Sequence, residues 1–294
     1  MLEVKNLSIH FEEQRKEKVT QTLLKRREKL TPSKMMDYQK TYDEYDEVVK
    51  DISFVVESDE IVGLVGESGS GKTVTALTIA GLKKPGQVVD GGEIYLDQVE
   101  LLSLSEKDMQ KIQGKEIGFI FQEPMTALNP TMKIGKQVEE ALILHTSLNK
   151  GQRREKVLKA LKDVELKEPE KLAHKYPGEL SGGMRQRVMI AAAMICRPKL
   201  LLADEPTTAL DSKTQDEILK LIKKLAKNYG ASILFISHNL RVVNELCSRV
   251  LVMKDGVIVE KGDTKEVFEN PRHEYTKELI RAIPARAEVD FADC

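Results

Sequence analysis

Length, composition and charge restrict this chain to a globular protein and exclude several other classes. Its 294 residues are 41% hydrophobic and 32% charged, and the formal net charge of −1 offers no overall basic field for nucleic acid. The N-terminus lacks the basic start and apolar core of a signal peptide, and no apolar run approaches a membrane span, so we expect a cytosolic fold that meets a membrane only through a partner.

The N-terminal part combines a predicted strand with a charged insertion. The stretch "LEVKNLSIHF" alternates apolar and polar residues imperfectly, which indicates a strand. Residues 12–47 are dense in charge and nearly free of glycine, and Pro32 divides them. We interpret 12–47 as an insertion of two charged helices, or of one helix and a mobile arm. Its role is open between a solvated insertion and an arm that docks a partner.

Strands and helices alternate along the rest of the chain. The stretches "VVKDISFVVE", "EIVGLVG", "GGEIYLD" and "EIGFIFQ" predict strands, and a mostly helical subdomain follows at about 124–193. Two further strands, "KLLLADEP" and "ASILFISH", flank an amphipathic helix that ends at Gly230. A hairpin is predicted at Asp255-Gly256, and 265–294 form a C-terminal helix and tail.

This pattern predicts one domain over residues 1–294. Buried strands that alternate with helices are typical of an α/β fold, here with a mixed sheet core, an antiparallel β portion and an inserted α-helical subdomain. The three cysteines, Cys196, Cys247 and Cys294, are widely spaced, and their spacing indicates neither a metal site nor a disulfide framework.

The stretch "GESGSGKT" at 66–73 matches the phosphate-binding pattern G-x-x-x-x-G-K-[ST], with a strand before it and a helix after it. Its glycines let the backbone wrap phosphate oxygens, its lysine supplies a cation for the β- and γ-phosphates, and its threonine hydroxyl can ligate Mg²⁺. We assign nucleotide binding to Gly66, Glu67, Ser68, Gly69, Ser70, Gly71, Lys72 and Thr73.

Four polar residues are expected beside this loop, at the ends of other strands. Asp204 ends "KLLLAD" and is predicted to hold Mg²⁺ together with Thr73. Glu205 follows directly and is the predicted base that polarises the attacking water. Gln122 in "FIFQEP" is predicted to ligate Mg²⁺ or the water, and His238 in "LFISH" to contact the γ-phosphate.

A second glycine-rich stretch, "ELSGGMRQR" at 179–187, has the features of another anion site. Ser181 can cap a helix that starts at Gly182 and Gly183, and a helix N-terminus carries positive dipole. A single chain therefore contains two loops suited to phosphate, which raises the question of why it needs both.

The ordered set of motifs resembles the ATP-binding-cassette ATPases. It comprises the loop at 66–73, Gln122, "LSGGM" at 180–184, the strand at 200–205, "ALD" at 209–211 and His238. The resemblance implies a P-loop NTPase cassette that binds ATP and Mg²⁺. It also implies that "LSGGM" caps the ATP of the opposite subunit, so that two cassettes hold two ATP between them, with Asp211 near the nucleotide.

Two further stretches of the sequence resemble one subgroup of these ATPases. "FQEPMTALNPTMKIGKQV" and "NPRHEYTKELIRAIP" look like the ATPase subunits of dipeptide, oligopeptide and nickel importers. Many relatives carry a cysteine-rich C-terminal extension for an iron–sulfur cluster; here "FADC" has one cysteine, so we expect no iron–sulfur cluster. The insertion 12–47 falls where cassettes place an aromatic that stacks on adenine, and Tyr45 is the candidate, with Tyr42 as its alternative.

The resemblance implies an ATPase subunit that energises a membrane importer of peptides or nickel. Expected partners are a second ATPase chain, the same or paralogous, two transmembrane permease subunits and, indirectly, a substrate-binding protein. The expected location is peripheral, at the cytoplasmic face of the cell membrane. The alternative is a non-transport cassette ATPase of the DNA-repair or translation-factor type, although the sequence shows neither the long coiled coil nor the second cassette of those groups.

Overall fold

Two β-sheets and a layer of helices form the fold. A computed structural model describes residues 1–12, 47–208 and 210–282. In this part of the chain the strands are β1 (Leu2–Phe11), β2 (Glu47–Val56), β3 (Ile61–Val65), β4 (Gln87–Leu96), β5 (Val99–Glu100), β6 (Ile117–Ile120), β7 (Leu200–Asp204), β8 (Ser232–Ile236), β9 (Arg249–Lys254) and β10 (Val257–Asp263).

The helices follow the strands in the order that the sequence pattern indicates. In the described ranges they are α1 (Lys72–Ile79), α2 (Glu106–Ile112), α3 (Pro124–Ala127), α4 (Ile134–His145), α5 (Lys150–Asp163), α6 (Pro169–Leu172), α7 (Gly182–Met194), α8 (Ser212–Tyr229), α9 (Leu240–Leu246), α10 (Thr264–Glu269) and α11 (Glu274–Arg281), with a 3₁₀ turn at Pro177–Glu179. Helices α3–α7 lie between β6 and β7 in the chain, so they form the predicted helical insertion. Of the helices in the described ranges, none combines the length and the apolarity needed to cross a bilayer.

The larger sheet positions the ends of several strands at one edge. Its order is β10-β9-β3-β8-β7-β6, and the five strands from β9 to β6 run parallel. The smaller sheet, β2-β1-β4-β5, is antiparallel throughout. Because parallel strands share a direction, the loops after β3, β6, β7 and β8 emerge together, and this is where open α/β sheets bind ligands.

Side-chain alternation along the parallel strands divides the interior into two cores. In β8, Leu234 and Ile236 belong to the core shared with the antiparallel sheet. Their neighbours Ile233 and Phe235 belong to the core shared with the helices. A strand buried on both faces reads as a continuous apolar run, and that run identified β3, β7 and β8 in the sequence.

The predicted α/β class, the mixed sheet and the antiparallel portion are confirmed. The hairpin turns at Asp255 and Gly256, both with positive φ, and Gly230 ends α8 in the left-handed conformation at φ 65°. Short helices such as α9 and α10 were not predicted from the sequence, because helices of this length are held by caps and packing rather than by a long apolar period.

The described residues shorten the predicted charged insertion at both of its ends. Glu12 donates its backbone N–H to the oxygen of Gly86 at 2.9 Å, and Glu47 already pairs with His10 as the first residue of β2. Both ends assigned to the insertion 12–47 therefore belong to the smaller sheet or its edge. Residues 13–46 lie outside the described part of the chain.

Candidate functional site: a phosphate loop and its carboxylates

The phosphate loop, residues 66–73, connects the end of β3 to the start of α1. Gly66 and Gly71 have φ of 150° and 102°, which disfavour any side chain. A Cβ on Gly66 would lie 2.0 Å from the backbone oxygen of Met253, and one on Gly71 would lie 2.7 Å from that of Val48. The loop therefore rests directly on two other backbone segments, and only glycine permits that approach.

Lys72 is buried beneath the loop, with 5% of its surface exposed. Its ammonium group donates to the backbone oxygens of Gly66 at 2.9 Å and Glu67 at 2.7 Å, and to Ser70 Oγ at 3.3 Å. Burial lowers the pKa of Lys72, although the nearby carboxylates of Glu205 and Asp204 act to raise it. A phosphate oxygen would give this desolvated cation a charged partner in place of neutral carbonyls.

Asp204 and Thr73 form the oxygen-rich part of the site. Thr73 Oγ1 donates to Asp204 Oδ1 at 3.2 Å, and Asp204 is 4% exposed. Burial raises the pKa of Asp204, the Thr73 hydroxyl opposes that shift, and the neighbouring Glu205 adds to it. A cation would relieve the cost of this buried carboxylate.

The chemistry of this donor set fits Mg²⁺. A hydroxyl and a carboxylate supply hard oxygen ligands, and Mg²⁺ commonly uses one or two carboxylates together with substrate phosphates. In the described ranges, no group of three or more His, Cys, Asp or Glu side chains could hold an ion by itself. The cation would therefore arrive with the phosphates of a nucleotide, rather than in a cage of protein ligands.

Glu205 brings three more side chains together. Its Oε2 accepts from Gln122 Nε2 at 3.2 Å and from Thr208 Oγ1 at 2.8 Å, and it lies 3.0 Å from His238 Nδ1. Its backbone has φ of 45°, a left-handed conformation that is uncommon outside glycine. Residues from the loops after β6, β7 and β8 therefore converge on one carboxylate oxygen next to Asp204.

The structure places Gln122 and His238 slightly differently from the sequence prediction. Each lies two residues beyond its strand, since β6 ends at Ile120 and β8 at Ile236. The extra residues let the chain turn over the edge of the sheet, so that both side chains reach Glu205. Gln122 uses its amide N–H₂ for this contact, which leaves its amide oxygen as the atom that could face a cation.

The signature loop, residues 180–184, lies at the N-terminus of α7. Ser181 Oγ accepts from the backbone N–H of Met184 at 3.4 Å, which is the capping role that its sequence position predicts. A Cβ on Gly183 would lie 2.8 Å from Thr214 Cγ2, and one on Gly182 would lie 3.7 Å from Leu210 Cδ2. The loop therefore packs beside the segment 210–214.

Asp211 caps the helix that follows this segment. Its carboxylate accepts from the backbone N–H of Thr214 at 3.0 Å and from Thr214 Oγ1 at 2.8 Å. These hydrogen bonds lower the pKa of Asp211, so the group is a stable anion at the start of α8. In this structure its contacts are those of a helix cap.

The remaining residues predicted from the sequence lie either at the surface of the phosphate loop or outside the described residues. Glu67, Ser68 and Gly69 are the exposed crest of the phosphate loop. Tyr42, Tyr45 and Cys294 lie outside the described residues, as does Ala209 of the "ALD" stretch.

Sequence reasoning missed two residues that contact the site. Thr208 holds Glu205, and its place three residues downstream in "DEPTT" was a local signal that could have found it. The hydroxyl of Tyr275 accepts from the backbone N–H of Glu67 at 2.9 Å. Nothing in the local pattern around Tyr275 indicates that contact, because the two residues are 208 positions apart.

Comparison with known families gives two matches along the chain. The family model for ABC transporter matches residues 49–208. The family model for the oligopeptide/dipeptide transporter C-terminal region matches residues 259–290. The first range contains the phosphate loop, Gln122, the signature loop and Glu205, and the second contains Tyr275.

Individual relatives and solved structures are also similar to the chain. The oligopeptide transport ATP-binding protein OppD of Bacillus subtilis (strain 168) is 47% identical over 246 residues, covering 83% of this chain and 69% of the relative. The dipeptide transport ATP-binding protein DppD of Haemophilus influenzae is 42% identical over 289 residues, covering 98% and 79%. The dimeric, post-hydrolysis structure of the ATP-binding cassette MJ0796 with ADP and Pi has a TM-score of 0.70 and 29% identity, covering 90% and 99%.

Proposed function

Because the chain belongs to the ABC transporter family of ATP-binding subunits, we propose that it hydrolyses ATP at the cytoplasmic face of a membrane to power peptide import. The observation that carries this proposal is the convergence of Gln122, Thr208 and His238 on Glu205, beside Asp204 and Lys72. Relatives named for oligopeptide and dipeptide transport, and the matching C-terminal family model, favour peptides over nickel as the cargo.

In the proposed reaction the phosphate loop binds and orients the triphosphate. Lys72 exchanges its contacts with Gly66 and Glu67 for phosphate oxygens, and the loop amides complete the cradle. Thr73, Asp204 and Gln122 would hold Mg²⁺, which supplies charge neutralisation at the β- and γ-phosphates when bound. These groups account for binding but not for activation of water.

Glu205 is the proposed base for that activation. Its carboxylate can accept a proton from the attacking water, and the two donors to Oε2, together with the neighbouring His238 ring, hold its orientation. His238 Nδ1 lies 3.0 Å from Glu205 Oε2, and this exposed side chain is proposed to contact the γ-phosphate once it is present. No cofactor beyond ATP and Mg²⁺ enters this scheme, and the absence of an iron–sulfur cluster stays a prediction.

The signature loop is proposed to act on a second cassette. Ser181, Gly182 and Gly183 present a capped helix N-terminus, which suits an anion, and Ser181 and Gly182 are exposed. The similar cassette MJ0796 is described as a dimer. We infer that two cassettes bind head to tail, each signature loop closing the ATP site of the other, and that the second chain is a copy or a paralogue.

Three aromatic residues are candidates for stacking on adenine. Tyr45 is the candidate from the sequence pattern, with Tyr42 as its alternative. Phe11 is the third, because it ends β1 beside the start of β2, where the Val48 oxygen lies against Gly71 of the phosphate loop. Alanine at the residue that stacks should weaken ATP binding, and alanine at the others should not, as measured by nucleotide titration.

An apolar groove beside Gln122 is the proposed docking site for a helix of a transmembrane permease subunit. Its volume is about 310 Å³, and Leu82, Phe119, Phe121 and Leu128 line it. Phe121 directly precedes Gln122 and is 38% exposed, so a bound helix would sense the state of the nucleotide site. Leu82→Glu should abolish co-purification with the cognate permease while leaving ATP binding intact; retained co-purification would contradict this assignment.

The experiment that tests the function as a whole is substitution of Lys72. Lys72→Ala removes the cation buried in the phosphate loop, so ATP affinity and hydrolysis should both collapse. The measurement is ATP titration of the purified chain together with release of inorganic phosphate. Unchanged affinity would refute the assignment of the loop, and intact import by the variant would refute its coupling to transport.

A further inference from the structure

Tyr275 links the C-terminal part of the chain to the phosphate loop. It is the second residue of α11 and is 3% exposed. Its hydroxyl oxygen accepts the backbone N–H of Glu67 at 2.9 Å. The tyrosine lies outside residues 49–208, which match the ABC transporter family model, and inside residues 259–290, which match the C-terminal one. The C-terminal segment therefore contributes a direct contact to the proposed nucleotide site.

The Tyr275 contact holds Glu67, whose carbonyl oxygen Lys72 must leave in order to bind a phosphate. In this structure Glu67 is held at both of its backbone polar groups, its N–H by Tyr275 and its carbonyl oxygen by Lys72 Nζ at 2.7 Å. When Lys72 turns to a phosphate, its contact with this carbonyl is lost, and of the contacts to the carbonyl the longer one from the backbone N–H of Ser70, at 3.2 Å, stays. The Tyr275 contact does not compete with phosphate for the ammonium group, so it can hold Glu67 in place throughout.

Tyr275 is itself held firmly. Its backbone N–H donates to His273 Nδ1 at 3.2 Å, and Lys254 Nζ lies 4.6 Å from the centre of its ring. The carboxylate of Glu260 on β10 accepts from the backbone N–H groups of Arg272 at 2.8 Å and His273 at 3.0 Å. The start of α11 is thus fastened to the same hairpin on which Gly66 rests through the oxygen of Met253.

We propose that Tyr275 is a positioning residue for ATP binding: its hydroxyl pre-organises the phosphate loop through the Glu67 amide and couples the C-terminal segment to nucleotide affinity. The inference rests on the proposed role of loop 66–73. Without the hydroxyl, the Glu67 amide loses its protein partner and the free loop samples other conformations. Nucleotide must then select the competent conformation, so the apparent Kd equals the intrinsic Kd divided by the fraction of time that the loop spends in that conformation.

The test compares two tyrosines that each lose only a hydroxyl. Tyr275→Phe deletes the contact to Glu67. Tyr229→Phe is the matched control, because the Tyr229 hydroxyl donates to Asp163 Oδ2 at 2.7 Å, between α8 and α5 and away from the phosphate loop. Affinity for ADP is measured by titration, KM and kcat for ATP by phosphate release, and stability by thermal unfolding, all on the full chain.

We expect Tyr275→Phe to raise the ADP Kd and the ATP KM by about three- to tenfold, the usual worth of one intramolecular hydrogen bond, with kcat within about twofold. Tyr229→Phe should lower the unfolding temperature but leave Kd and KM unchanged. An unchanged Kd in Tyr275→Phe, or an equal rise in both variants, would overturn the proposal while Lys72→Ala still reports on the loop itself. Failure of the unmodified chain to bind nucleotide would overturn both assignments.

Hydrogen exchange keeps the proposal testable if Tyr275→Phe fails to fold. In the unmodified, nucleotide-free chain the Glu67 amide should be protected from exchange, unlike the amides of Ser68 and Gly69 on the exposed crest of the loop. Exchange of Glu67 as fast as that of its two neighbours would show that the hydroxyl does not hold the amide in solution, and the proposal would fall.

Discussion

The phosphate loop and the signature loop are both glycine-rich turns that lead into helices, yet their surroundings differ. The phosphate loop rests on the backbone oxygens of Met253 and Val48, and its cation, Lys72, is buried. The signature loop has an exposed Ser181 and Gly182, and its contacts are with its own helix and with segment 210–214. Apart from its exposed crest, the first loop is enclosed by its own chain, whereas the second faces outward.

This difference explains how one chain can carry two phosphate-type loops. A complete hydrolytic site needs a cation, metal ligands and a base, and the residues that we propose for these roles, Lys72, Asp204 and Glu205, lie together at the phosphate loop. The signature loop offers a helix dipole and a hydroxyl, which can stabilise an anion but cannot activate water. An exposed half-site of this kind becomes useful when a second cassette supplies the nucleotide.

The largest expected effect comes from Glu205, which belongs to the enclosed region. Glu205→Gln keeps the shape of the side chain and removes the charge that we propose polarises water, so turnover should fall by roughly 10²–10⁴ while ATP binding persists. Phosphate release and nucleotide titration measure the two quantities. Glu170→Gln, an exposed change on α6, is the control and should behave like the unmodified chain. Near-native turnover in Glu205→Gln would move the role of base to His238.

Ser181→Arg tests the exposed region. If the loop serves the ATP of a second cassette, as proposed, the arginine fills the space where that γ-phosphate approaches Gly182 and Gly183, so ATP-dependent dimerisation and hydrolysis should both fail. ATP affinity of the isolated chain should not change, because its own phosphate loop is untouched. The assay compares monomer affinity with dimerisation, in the presence of the cognate cassette if the natural pair is a heterodimer. A large loss of monomer affinity would place the signature loop in its own chain's site and remove the distinction between the two loops.

These two loops also show what the sequence could and could not predict. Each loop is a local pattern of glycines beside a helix start, so its residues and its capping serine were visible without a structure. The strands of the larger sheet were identified by their apolar runs, but their order depends on contacts between distant segments. The contact of Tyr275 with Glu67 is of that long-range kind. The φ of 45° at Glu205, which turns its side chain toward Gln122 and His238, likewise depends on tertiary context.

A smaller effect on kcat is expected at Thr208, which contacts Glu205 in the enclosed region. Its hydroxyl donates to Glu205 Oε2 at 2.8 Å, so Thr208→Val removes one of three groups that orient the base. The loss of a hydrogen bond to a charged group costs about 1.5–3 kcal/mol, and the part felt in the transition state should lower kcat by about tenfold. KM for ATP should stay constant. Thr208→Ser retains the hydroxyl and should restore kcat; equal losses in both variants would assign the effect to packing instead.

The smallest effect is expected from the charged insertion, which lies away from both loops along the chain. Deleting about residues 14–44 and joining the flanking strands by a short turn should leave the ATPase core folded. The physical reason is that the flanking strands already pair, with Ile9 opposite Val49 and His10 opposite Glu47, so a short connection can span them. The deleted stretch is dense in charge and offers little to a core. The unfolding temperature should match that of the full chain, and the rate of ATP turnover should match within about twofold.

Loss of cooperative unfolding would show that the insertion packs as part of the domain. Loss of ATP affinity alone, with folding intact, would instead favour Tyr42 or Tyr45 over Phe11 as the residue that stacks on adenine, since the deletion removes Tyr42 and shifts Tyr45 while leaving Phe11 in its strand.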